Sequence, residues 1–96
     1  LAFDGVVTPV VTISEETGEL EGTPEIVARG LLGTNGDAKS FLSKMQRVVA
    51  DAVEAAPHTE RRDTSLLKER VRLELKRYIQ KQTGARPVIV PVVVQV

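Results

Sequence analysis

The side chains in this sequence that could carry acid, base or metal chemistry are few, and their spacing suits none of it. Carboxylates pair at Glu15/Glu16 and Glu19/Glu21, either side of Gly18 in "SEETGEL". A hairpin turn there would hold them in solvent rather than around a substrate. His58 is the one histidine and follows a proline in a polar stretch, and cysteine is absent. Thiolate and histidine-rich metal sites are therefore excluded, as is a disulfide framework. None of HxHxDH, HExxH, GxSxG, GxxxxGK[ST] or GxGxxG occurs, and the glycines of "RGLLG" fit no phosphate-binding loop. Tyr78, Phe3 and Phe41 are the only aromatics, too few for a base-stacking platform. These residues predict a chain with no catalytic site, no cofactor and no stoichiometric metal of its own.

Charge offers one more kind of chemistry. Residues 1–36 carry six acids against one base, residues 57–96 nine bases against four acids, and the middle balances at three each. A basic half of this kind can favour phosphates. Arg61, Arg62, Lys68, Arg70, Arg72, Lys76, Arg77 and Lys81 are the candidates, with Arg61, Arg62, Arg70, Arg77 and Lys81 foremost. The plain alternative is an ordinary solvated helix face.

The elements that must position these residues follow from periodicity. In "FDGVVTPVVTI", Phe3, Gly5, Val7, Pro9, Val11 and Ile13 share one face of a strand, and Asp4, Val6, Thr8, Val10 and Thr12 the other. Pro9 cannot donate to a ladder, so one side of that strand is an edge or a bulge there. Gly18 supplies a turn, and the return strand, broken by Gly22 and Pro24, is best expressed in "EIVARGLL". "GTNGD" (33–37) reads as a loop. From Asp37 to Ala56 the period becomes helical: Phe41, Leu42, Met45, Val49, Ala52 and Val53 form one stripe, stopped by Pro57. Residues 58–63 read as a polar connector, with Asp63 or Thr59 capping a second helix over about Thr64–Thr83. Leu67, Val71, Leu75, Tyr78 and Ile79 make its apolar face, and Gly84 its C-terminal stop. Leu66 and Leu73 fall outside that face, among Arg70, Arg77 and Lys81.

The chain ends on "RPVIVPVVVQV", where seven of the last nine residues are Val or Ile. Such a strand is apolar on both faces and is normally covered on both. The pattern predicts one small α+β domain over residues 1–96: ββααβ, a three-stranded sheet with two helices on one face. Two helices cover one face only, so something outside the chain is expected to cover the other. Leu66, Leu73, Ile89 and Val93 are the nominated contact residues, with Val92 and Val94 in place of the last two if the strand faces the other way. A free-standing small oligomeric protein would satisfy the same pattern.

The order and wording of three segments resemble the C-terminal domain of the ribonuclease J family: "DGVVTPVVTI" with its "TGEL" turn, "PEIVARG", and the closing "RPVIVPVVVQV". The resemblance spans nearly the whole chain. It implies a parent ribonuclease with a metallo-β-lactamase core, a β-CASP insertion and a two-zinc site, acting on RNA by 5′-exonucleolytic and endonucleolytic cleavage. The zinc ligands of that family lie in the catalytic core, and no position here matches them. It also implies a cytoplasmic protein, and an auxiliary domain that self-associates or docks on the parent's catalytic domains. RNA would be met through the parent enzyme, and no membrane would be involved. The opening on Leu rather than Met fits a piece of a longer protein.

Overall fold

The computed structural model describes residues 4–30 and 38–96. Phe3, the loop expected at 33–37, the helix start at Asp37 and the "LL" ending of the return strand lie outside them. In chain order the elements are β1 (Val6–Ile13), β2 (Glu25–Arg29), α1 (Ala38–Ala55), α2 (His58–Arg61), α3 (Thr64–Thr83), β3 (Val88–Ile89) and β4 (Val92–Gln95).

β1 is the centre of the sheet. β2 runs antiparallel on one side, with Val6 opposite Arg29 and Val10 opposite Glu25. β3 and β4 run parallel on the other. These last two are one strand line with a gap. The register resumes unshifted, Val7 opposite Ile89 before the gap and Val10 opposite Val92 after it, so Pro9 and Pro91 stand level. The carbonyls of Gly5, Val7 and Ile13 accept from the amides of Val88, Val90 and Val96 at 2.9–3.0 Å. Odd residues of β1 therefore direct their backbone toward β3 and β4, and Pro9 places its missing donor on that side. Two prolines facing each other across one rung interrupt the ladder there. The expected three-stranded sheet thus has four strand segments, and the irregularity expected at Pro9 is a break in the neighbouring strand.

Turn chemistry is as expected from the glycines. Gly18 (φ 72°) closes the hairpin with its amide on the Ser14 carbonyl at 2.8 Å. Gly84 adopts the left-handed conformation after α3 and donates to the Gln80 carbonyl. Asp63, rather than Thr59, caps α3, its carboxylate accepting from the amides of Ser65 and Leu66 at 3.1 and 3.2 Å. The connector expected at 58–63 contains the one-turn helix α2, and Arg61 Nε donates to the Ala56 carbonyl at 3.0 Å.

Both long helices lie on one face of the sheet. Val7, Pro9, Val11 and Ile13 of β1 are buried beneath Met45, Val49 and Val53 of α1 and Leu67, Val71, Leu75 and Ile79 of α3. Leu42, expected in that core, is only half-buried at its edge, beside the Phe41–Tyr78 ring stack at 5.9 Å. No buried polar side chain interrupts the core among the described residues.

Gly5 locks the start of β1 against the end of β2. Its φ is +110°, and a Cβ there would stand 2.5 Å from the Arg29 carbonyl oxygen and 2.6 Å from the Gly30 carbonyl carbon. Both neighbours are backbone and cannot swing away. Gly5→Ala should therefore cost about 2–3 kcal/mol, the combined effect of a forbidden conformation and a displaced strand end. Urea unfolding measures it, and an unchanged midpoint would contradict this geometry.

Candidate functional site

Metal chemistry would need several ligating side chains to converge among the described residues. No group of three or more His, Cys, Asp or Glu side chains converges there. The zinc that the family resemblance implies finds no such donor set among the described residues. Glu15, Glu16 and Glu19 are exposed at the hairpin tip, and His58 lies exposed nearby, its ring 3.4 Å from where a Cβ on Gly18 would stand. No described helix is long and apolar enough to cross a membrane.

The basic residues of the second half are mostly engaged. Arg70 makes a two-pronged pair with Glu60, at 2.7 and 3.1 Å. That hydrogen bond holds the Glu60 carboxyl below its usual range and raises the Arg70 guanidinium. Arg72 grips Glu69 in the same way, at 3.0 and 2.6 Å, with the same two effects. Arg77 meets Glu74 at 3.4 Å. Arg62 donates to the Glu16 carbonyl at 2.9 Å, tying the hairpin tip to the turn before α3. Arg61 is turned inward onto the carbonyls of Glu54 and Ala56. Of the five foremost candidates for phosphate contact, only Lys81 stands exposed with no ion pair or hydrogen bond.

The open face of the sheet is the outstanding feature. Side chains of Val6, Thr8, Val10 and Thr12 point away from the helices, as the alternation along β1 requires. The register sets Val88, Val90, Val92 and Val94 beside them on one flank, and Arg29, Val27 and Glu25 on the other. Val6, Val27, Val90, Val92, Val94 and Val96 are 37–64% exposed, and Leu66 is the only other large apolar side chain as open among the described residues. The parity of the last strand is the reverse of the one nominated. Ile89 and Val93 pair with Val7 and Val11, the buried row of β1, and pack onto the core. Alternation then sends Val92 and Val94 outward, which a strand apolar on both faces does not reveal from its own pattern.

Leu66 and Leu73 sit apart from the sheet. They line a shallow cleft on α3 with Glu60, Glu69, Arg70, Glu74 and Arg77. Leu66 is 54% exposed and Leu73 half-buried, and neither joins the core cluster. The structure does not bring this pair together with the open sheet face, because α3 lies on the other side of the sheet.

Comparison with known proteins agrees with the architecture. The family model described as "Ribonuclease J C-terminal domain" matches residues 1–96. Ribonuclease J2 of Bacillus subtilis (strain 168) is 26% identical over all 96 residues. Ribonuclease J 2 of Staphylococcus aureus (strain NCTC 8325 / PS 47) is 28% identical over the same span. In both cases the match covers 17% of the relative, so the chain spans about a sixth of their length. A family model and relatives that match over the entire chain, on a domain of one mixed sheet and two long helices, place it: the chain belongs to the ribonuclease J C-terminal domain family.

Proposed function

We propose that this domain is a non-catalytic assembly module of a zinc-dependent, RNA-degrading and RNA-processing parent ribonuclease, joining two copies through the open face of its sheet. The observation that carries the reading is the row of valines on a face that no described element covers. Exposed apolar patches of this kind mark contact sites.

A second copy is the occupant because the face is complementary to itself. Glu25 and Arg29 lie at the two ends of β2 with Val27 between them, all three on the open side. A two-fold axis crossing the strands at the level of Val27 sets Glu25 of each copy over Arg29 of the other, Val6 over Val10 and Val88 over Val92, with Thr8 and Val90 each meeting its own counterpart. Isologous interfaces have this self-matching form.

Size sets the strength. Three strand lines about 4.8 Å apart and seven or eight residues long, at about 3.3 Å each, give a face of roughly 15 by 25 Å. That is about half of the roughly 800 Å² per partner of a standard stable interface and in the size class of weak, transient contacts, so the 96-residue chain should dimerise weakly. Two such contacts within tethered parent chains gain from effective concentration, which makes weak modules sufficient. Sedimentation equilibrium from 10 µM to 1 mM tests the reading. A monomer throughout that range would overturn self-association and leave docking onto the parent's catalytic domains.

A further inference from the structure

A second surface has different chemistry. Between the C-terminal half of α3 and the segment 85–89 runs a cleft of about 430 Å³, within the size range of small-ligand sites. Arg72, Lys76 and Arg86 are its charged lining, and no carboxylate contributes. The other two clefts along α3 differ: Glu60, Glu69 and Glu74 line one, Asp51 and Glu74 the other. Arg72 is already held by Glu69, which leaves Lys76 and Arg86 as cations with no ion pair among the described residues.

Arg86 is fixed by its backbone alone. Its amide donates to Asp4 Oδ2 at 2.7 Å and its carbonyl accepts from the Asp4 amide at 3.3 Å. That carboxylate is spent on the backbone, so the exposed guanidinium is available to a ligand. The rest of the lining is apolar apart from Gln80: Ala85 and Pro87 are buried, Val88 and Ile89 half-buried. The Gln80 amide adds a donor and an acceptor.

We infer that this cleft holds one nucleotide unit of single-stranded RNA, its phosphate on Lys76 and Arg86 and its base against Pro87 and Ile89. Two cations lining one cleft recognise a phosphate, the apolar lining takes the base, and the amide at Gln80 reads a base edge. Choosing RNA as the source of the phosphate rests on the ribonuclease parent proposed above. The site itself rests on the lining residues and is independent of the sheet face, which lies on the opposite side of the sheet from α3.

Titration of the 96-residue chain with a uridine hexanucleotide, followed by amide chemical shifts, tests it. Shifts should centre on residues 76, 80 and 85–89, and inorganic phosphate should move the same signals at least tenfold more weakly. One neutralised phosphate predicts a log–log salt slope of about −0.7 for single strands. Lys76→Ala/Arg86→Ala should weaken oligonucleotide binding at least tenfold, while Arg77→Ala/Lys81→Ala leaves it within twofold. Absence of shifts at millimolar oligonucleotide, equal binding of inorganic phosphate, or binding that survives the first double variant would overturn the assignment. Sedimentation of the same samples keeps this outcome separate from the assembly reading.

Discussion

Leu75→Ala should lower the unfolding free energy of this domain by about 3–4 kcal/mol, whereas Leu73→Ala, two residues earlier on the same helix, should cost well under 1 kcal/mol. Leu75 is fully buried, in line with Leu67, Val71 and Ile79 and beneath the same sheet and helix neighbours. Truncation there leaves a cavity that α1, α3 and β1 cannot all close at once. Leu73 lines an open cleft with Glu60, Arg70 and Arg77, where water fills the space a methyl group leaves. A domain of this length has roughly 5–14 kcal/mol in total. The first substitution therefore removes a large fraction and should drop the melting temperature by on the order of 12–32 °C. Val71→Ala should fall between the two, at about 2 kcal/mol. Equal destabilisation by Leu75→Ala and Leu73→Ala in urea titrations would mean that α3 is rotated from the orientation described.

That contrast was legible in the sequence, because a helix carries its own ruler. Leu67, Val71 and Leu75 repeat at four-residue spacing, and Leu66 and Leu73 do not fit the stripe, so the buried face of α3 followed from periodicity alone. β1 was legible for the same reason: threonines alternate with valines on one side only. The last strand was not. With valine or isoleucine on both sides, its pattern is unchanged by a one-residue slip, and register alone decides which row meets the helices. The register comes from the long-range pairing of Val7 with Ile89 and Val11 with Val93, which no local pattern encodes. The pairing of the basic residues was hidden for another reason. Arg70 looks available from its neighbours in sequence, but Glu60, ten residues away across the turn between α2 and α3, takes it. The cleft at Arg86 was invisible because Arg86 reaches α3 only once the chain has turned back at Gly84.

Parity also fixes the sharper test of the assembly reading. Val92→Asp/Val94→Asp should give a folded monomer, with the dimer dissociation constant raised at least a hundredfold. Burying two unpaired carboxylates per copy costs several kcal/mol in the dimer, and in the monomer both side chains are solvated. Ile89→Asp/Val93→Asp should instead unfold the domain, since both positions pack on the core and offer a carboxylate no partner. The two double variants separate by circular dichroism before any sedimentation is run. Charge then identifies the occupant. Glu25→Arg sets arginine over arginine twice across the proposed two-fold axis and should abolish the dimer. Adding Arg29→Glu restores both pairs with their signs exchanged and should recover it, a reciprocity that only a second copy of the same face can produce. If the double exchange stays monomeric while Val92 and Val94 remain essential, the two sheets meet in another orientation. If every variant sediments like the unmodified chain, the valine face serves the parent's catalytic domains instead.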